Sequence, residues 1–208
     1  MNGSSTLIIG RGRAGKTGYA LDLVASKSEK FLVLAPQITN PRLSEFDSYS
    51  PPIMSGDELR EAYNKSEGSL VLIITEKVKD QPSIWKILRE TQFNGLVILA
   101  DELAVLVSDH DDEVEFKIFI RHVGQNNQLF FATSHRIRDD VPPVTPLNVQ
   151  RIEFVGPLSD EEEIRKLYGV SNVRMSRQEF ATKLKNQPLK YNWWDKNPNK
   201  TAIFTIFE

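Results

Sequence analysis

The sequence predicts an α/β domain with a mostly parallel central sheet flanked by helices on both faces. Three observations predict it. Short runs rich in Val, Ile and Leu recur at 6–9, 31–35, 70–75, 96–100, 129–133, 151–155 and 202–207, each about the length of a strand buried on both sides. Segments of helical period lie between them, as crossovers between parallel strands require. The first run passes through a glycine-rich loop straight into a helical stretch.

The elements follow in chain order. After the run at 6–9 comes a helix over about 15–26, with Ala20, Leu23 and Val24 as its packing face. Ser55-x-x-Glu58 is a capping box, backed by Leu59, Ala62 and Tyr63 on one face. Ile84, Ile87, Leu88 and Thr91 predict a helix after Pro82. The segment after Val114 is ambiguous. Val114, Phe116, Ile118 and Ile120 alternate like a strand, while Phe116, Phe119, Ile120 and Val123 have helical spacing. A helix is expected there, because a crossover must precede the next parallel strand. Ser159-x-x-Glu162 reads as a second capping box, with Ile164, Leu167 and Tyr168 behind it and Gly169 as a stop. Ser176-x-x-Glu179 is a third, with Met175 and Phe180 placed as a hydrophobic staple. Long proline-containing stretches at 36–52 and 136–148 are expected to be loops.

With 208 residues, one domain over 1–208 is the economical reading, its core at about 4–156 and C-terminal helices with an edge strand at about 157–208. Apolar residues make up 40% and charged residues 26%, and the net charge is −2. That near-neutral balance gives no global basic footprint, so nucleic acid would be held by a local patch or by several subunits together. The absence of cysteine excludes disulfides, zinc–thiolate sites and thiol nucleophiles. No apolar run approaches the ~20 residues of a membrane span, and the first residues lack a secretory pattern. The expectation is a soluble protein in an intracellular setting, not integral to a membrane.

Two segments carry chemistry. Gly10-Arg11-Gly12-Arg13-Ala14-Gly15-Lys16-Thr17, followed by Gly18, has the Walker A spacing. Glycines let successive backbone N–H groups converge on phosphate oxygens, and the helix that follows points its positive end at the same place. Lys16 is expected on the β- and γ-phosphates of ATP, with Thr17 as a ligand of Mg²⁺. Arg11 and Arg13 either add charge near the phosphates or are solvated loop residues. The run at 96–100 ends in Asp101-Glu102. A carboxylate at the C-terminal end of a strand suits Mg²⁺, which assigns Asp101 to the metal. A second one directly after it suits activation of a water, which assigns Glu102 as catalytic base.

Arg121 precedes the run at 129–133, which continues through Ala132-Thr133-Ser134-His135. This order of parts resembles the FtsK–HerA superfamily of DNA-pumping ATPases, and the compact size resembles the genome-packaging ATPases of membrane-containing icosahedral viruses of the archaeal turreted type. The resemblance covers roughly residues 4–156, with the run at 70–75 as an addition. It implies a P-loop NTPase fold of the RecA-like (ASCE) kind, and an ATP-hydrolysing DNA translocase that acts as a viral packaging motor. It also implies a homo-oligomeric ring, pentamer or hexamer, around double-stranded DNA, with capsid or viral membrane proteins as further partners. Arg121 would serve a neighbouring subunit's site, and Ser134 would be the polar sensor where glutamine is usual, with His135 able to share the role.

A nucleoside- or nucleotide-kinase-like phosphotransferase is the alternative; it would use the same loop, and one of the long loops as a lid. A slow nucleotide-dependent switch is a third reading. The segment 189–196 interleaves Tyr191, Trp193 and Trp194 with lysines, which suits either stacking on bases or anchoring of a terminal strand.

Overall fold

A computed structural model of the chain describes residues 3–38, 40–74, 78–91, 93–135, 149–170 and 174–186. The expected loop at 136–148, the aromatic–lysine segment at 189–196 and the strand at 202–207 lie outside the described residues. The strands are β1 (Ser4–Ile9), β2 (Leu32–Ala35), β3 (Asp47–Tyr49), β4 (Leu70–Ile73), β5 (Val97–Ala100), β6 (Leu129–Ser134) and β7 (Arg151–Phe154). The helices are α1 (Lys16–Ala25), α2 (Gly56–Lys65), α3 (Ile84–Thr91), α4 (Leu103–Leu106), α5 (His110–His122), α6 (Glu161–Val170) and α7 (Arg177–Lys185). A 3₁₀ turn, Pro41–Glu45, precedes β3.

Among the described residues all the strand pairings are parallel, in the order β3-β4-β2-β5-β6-β1-β7. Period-two alternation divides each strand between two cores. Leu7, Ile9, Leu32, Leu34, Ile98, Phe130 and Ala132 face α2, α3 and α5. Ile8, Val33, Ala35, Val97, Leu99 and Phe131 face α1 and the 3₁₀ turn. The ambiguous segment is helical, as the crossover requires. Phe116, Phe119 and Ile120 are buried, while Val114 is exposed. Phe116 and Phe119 close on Trp85 of α3 with ring centroids 4.8 and 5.5 Å apart, and the Trp85 Nε1–H donates to the Leu106 carbonyl.

The helix starts follow the sequence with one shift. Ser55 and Ser176 cap α2 and α7 through the N–H groups of Glu58 and Glu179. The Glu58 carboxylate reaches back to the N–H of Met54, one residue beyond the box pattern. The box expected at Ser159 is corrected: Asp160 caps α6, its Oδ1 accepting from the N–H groups of both Glu162 and Glu163. An ionised carboxylate next to a hydroxyl is the stronger acceptor for a helix N-terminus. Nor does Gly169 stop that helix, which runs to Val170. The proline-rich stretch at 36–52 is more structured than expected, since it holds the 3₁₀ turn and β3. Among the described residues, no helix is long and apolar enough to cross a membrane.

The least exposed carboxylate among the described residues lies outside the expected site. Glu153 on β7 is 1% exposed and accepts from the Tyr19 hydroxyl at 2.7 Å. Burial pushes its carboxyl above the ordinary value of 4.5, against the pull of Tyr19, Arg151 and Lys27. A carboxyl raised on folding favours the folded state below its unfolded value, and that contribution is lost as pH rises through the folded value. The variant Glu153→Gln has no such titration. Its melting temperature should change less than the native chain's as pH is raised from 4.5 toward neutrality. Parallel melting curves for the two would show that Glu153 titrates alike folded and unfolded.

Candidate nucleotide site

The site lies at the C-terminal ends of β1, β5 and β6. The loop leaves β1 at Gly10, whose N–H donates to the Ser134 carbonyl at 3.2 Å. A Cβ on Gly10 would stand 2.2 Å from the Val155 carbonyl oxygen, so only glycine fits between the loop and the end of β7. Gly10→Ala should therefore destabilise the fold by about 2–4 kcal/mol, read by chemical denaturation. A native midpoint would mean that the β7 end shifts freely.

Next the chain tightens into a turn, with the Ala14 N–H on the Arg11 carbonyl, and enters α1 through Gly15 at φ 90°. No side chain caps α1, and no acid sits in its first turn. Its backbone N–H groups and positive dipole end are thus presented toward the loop, the arrangement that attracts phosphate. Arg13 also has positive φ, at 62°, and both it and Arg11 are exposed. Arg11 donates to the hydroxyl of Ser159 just before α6. The Gly18 carbonyl accepts from Arg42 at 3.0 Å, and Arg42 also pairs with Asp22 at 2.7 Å. The 3₁₀ turn is thereby tied to α1, which does not suit the 36–52 stretch as the mobile lid a kinase would need.

Lys16 is buried, and its ammonium donates to the Arg11 carbonyl and to His135 Nδ1, both at 3.1 Å. The Thr17 hydroxyl donates to Asp101 Oδ1 at 2.9 Å, so loop and acid meet directly. Asp101 is 2% exposed. Burial raises its carboxyl above the ordinary aspartate value; hydrogen bonds from Thr133 and Thr17 oppose the rise, Glu102 adds to it and Lys16 works against it. Two hydroxyls aimed at one buried carboxylate oxygen form a set of hard oxygen donors. Thr17 and Asp101 could hold a Mg²⁺ ion there, with phosphate and water oxygens completing the shell.

Glu102 turns the chain from β5 into α4 at φ 56° and ψ 60°, a left-handed conformation unusual for a side chain of this size. Its N–H donates to the Thr133 hydroxyl at 2.9 Å, and that hydroxyl donates onward to Asp101 Oδ1 at 2.8 Å. The hydroxyl beside the acid pair is that of Thr133, the residue before the expected sensor Ser134. The reason is alternation: Thr133 shares the α1 side of β6 with Phe131, while Ser134 falls on the side of Phe130 and Ala132. Strand parity was the signal that could have singled it out. His135 follows, with Nε2 3.6 Å from Glu102 Oε1.

Arg121 is not brought to this site. It is exposed in the last turn of α5, next to Val123 and Gly124, whose backbones approach Gly3 at the start of β1. The loop leaves the other end of that strand, roughly 20 Å away at about 3.3 Å per residue. Within the chain, Arg121 and the loop at Gly10–Gly15 lie at opposite ends of the sheet.

No protein-family model and no curated protein matches the chain. Among solved structures it is similar to the genome packaging NTPase B204 of Sulfolobus turreted icosahedral virus 2 in complex with AMP, with 15% identity over 99% of this chain and 98% of that one and a TM-score of 0.63. The fold is that of a P-loop NTPase. The ATP-gammaS complex of the same protein gives 14% identity over 98% and 96%, with a TM-score of 0.62. The DNA-packaging ATPase B204 from Sulfolobus Turreted Icosahedral Virus gives 15% over 90% of each chain, with a TM-score of 0.61. At these identities the likeness is one of P-loop NTPase fold, extending over nearly the whole length.

Proposed function

We propose that the chain is an ATP-hydrolysing DNA translocase, a subunit of a ring that packages a viral genome. The observation that carries the hydrolytic part is the convergence of Lys16, Thr17, Asp101, Glu102 and Thr133 at the ends of three neighbouring strands. The translocase part is supported by likeness, over nearly all of both chains, to structures named as a genome packaging NTPase and a DNA-packaging ATPase.

In this reading the phosphates of ATP lie on the N–H groups of the loop from Gly10 to Gly15, at the positive end of α1. Lys16 turns its ammonium to the β- and γ-phosphates. Mg²⁺, held by Thr17 and Asp101, would neutralise charge that builds on the phosphate oxygens. Glu102 accepts a proton from the attacking water. Arg121 of the partner subunit supplies the cation that a ring alone can bring, which agrees with its distance from the loop in its own subunit.

The test is ATP turnover with and without double-stranded DNA, together with the mass of the assembly in the presence of nucleotide. Stimulation by DNA and a closed ring are the expected results. Phosphate transfer to a nucleoside by a monomer would sink the proposal in favour of a kinase.

A further inference from the structure

His135, the residue directly after β6, plays no part in that scheme, yet its ring joins the two halves of the site. Nδ1 lies 3.1 Å from Lys16 Nζ, and Nε2 lies 3.6 Å from Glu102 Oε1. An ammonium can only donate, so Nδ1 accepts, and the proton of a neutral ring then sits on Nε2, on the side of the carboxylate and just beyond hydrogen-bond distance from it. One neutral tautomer suits both neighbours, and a small turn of the ring closes the second contact. On a third side the ring meets the loop, since a Cβ on Gly12 would stand 3.8 Å from Cε1.

We propose that His135 is a positioning residue through which engagement of Lys16 by phosphate is passed to Glu102. The proposal rests on the hydrolytic reading above. The Lys16 ammonium donates to the Arg11 carbonyl and to Nδ1, and phosphate oxygens compete for the same donors. As Lys16 turns to phosphate, Nδ1 loses its donor and the ring is free to turn with Nε2–H and the Glu102 carboxylate. The base is then set against the nucleotide only when phosphate has claimed the lysine. The ring is partly exposed, so each contact is modest in strength and can exchange.

The test separates the two contacts. Binding is measured by titration with a fluorescent ADP and with a non-hydrolysable ATP analogue, and turnover by phosphate release. His135→Ala is expected to bind both nucleotides about 3- to 10-fold tighter, because one of the groups that compete with phosphate for Lys16 is gone. Its kcat should fall about tenfold or more as Glu102 loses its partner. His135→Gln puts an amide nitrogen in place of Nε2 without the Nδ1 acceptor; it should recover most of the lost kcat and keep the tighter binding. His135→Asn puts an amide oxygen in place of Nδ1, and should restore native affinity without restoring kcat.

A ring that only fills space would weaken binding and turnover together. Unchanged or weaker binding in His135→Ala, or Gln and Asn variants that behave alike, would overturn the proposal. A native chain that hydrolyses no ATP sinks the hydrolytic reading and the link to Glu102 with it. The titrations then still decide the competition at Lys16 by themselves.

Discussion

Glu102→Gln is expected to lower ATP turnover by about 10²- to 10⁴-fold and to leave nucleotide binding in place. The amide has the shape of the carboxylate and cannot accept the proton of an attacking water. The backbone at φ 56° is unaffected, and its N–H keeps the Thr133 hydroxyl. Nothing that cradles phosphate is touched, because Lys16, Thr17 and the loop N–H groups lie on a different strand end. Turnover is read by phosphate release and binding by titration with a fluorescent nucleotide. Turnover at the native rate would remove Glu102 as the base. Loss of binding would instead mean that the carboxylate shapes the loop.

Thr133→Val should cost both stability and rate. Valine matches threonine in shape and lacks the hydroxyl, which here both donates and accepts. The Glu102 N–H would lose its acceptor, for about 1–3 kcal/mol of stability. Asp101 would keep only one of the two hydroxyls that hold its Oδ1. With Asp101 and Glu102 both freed to shift, turnover should fall about 10- to 100-fold. Thr133→Ser retains the hydroxyl and should recover most of both losses. Urea unfolding reads the first effect and ATP turnover the second. Native turnover in Thr133→Val would show that the Thr17 hydroxyl alone orients Asp101.

Legibility from sequence divides along a physical line. The loop from Gly10 to Thr17 and the pair Asp101-Glu102 are readable because the residues of each motif are neighbours in sequence, so spacing and geometry coincide. Thr133 is not readable in that way. Its value lies in a contact across 32 positions, and only the parity of β6 separates it from Ser134. Helix starts at Ser55 and Ser176 are legible as local hydrogen-bond patterns. The start of α6 is displaced because Ser159 and Asp160 are both competent caps, and charge decides between them. β3 escapes notice because Asp47-Ser48-Tyr49 carries no apolar alternation and joins the sheet at its edge, through β4. Arg121 can be named from its place before β6, but sequence cannot supply the subunit it would face.

The place of β6 between β1 and β5 has a consequence for what the site can distinguish. Two ladder steps of about 4.8 Å set the roots of the phosphate loop and the acid pair roughly 10 Å apart. That gauge is set by backbone hydrogen bonds along β1, β6 and β5. Nucleotides with different numbers of phosphates must therefore be told apart by the reach of side chains over a floor of constant width. Selectivity in this protein would evolve at the loop tips, while the strands beneath them stay as they are.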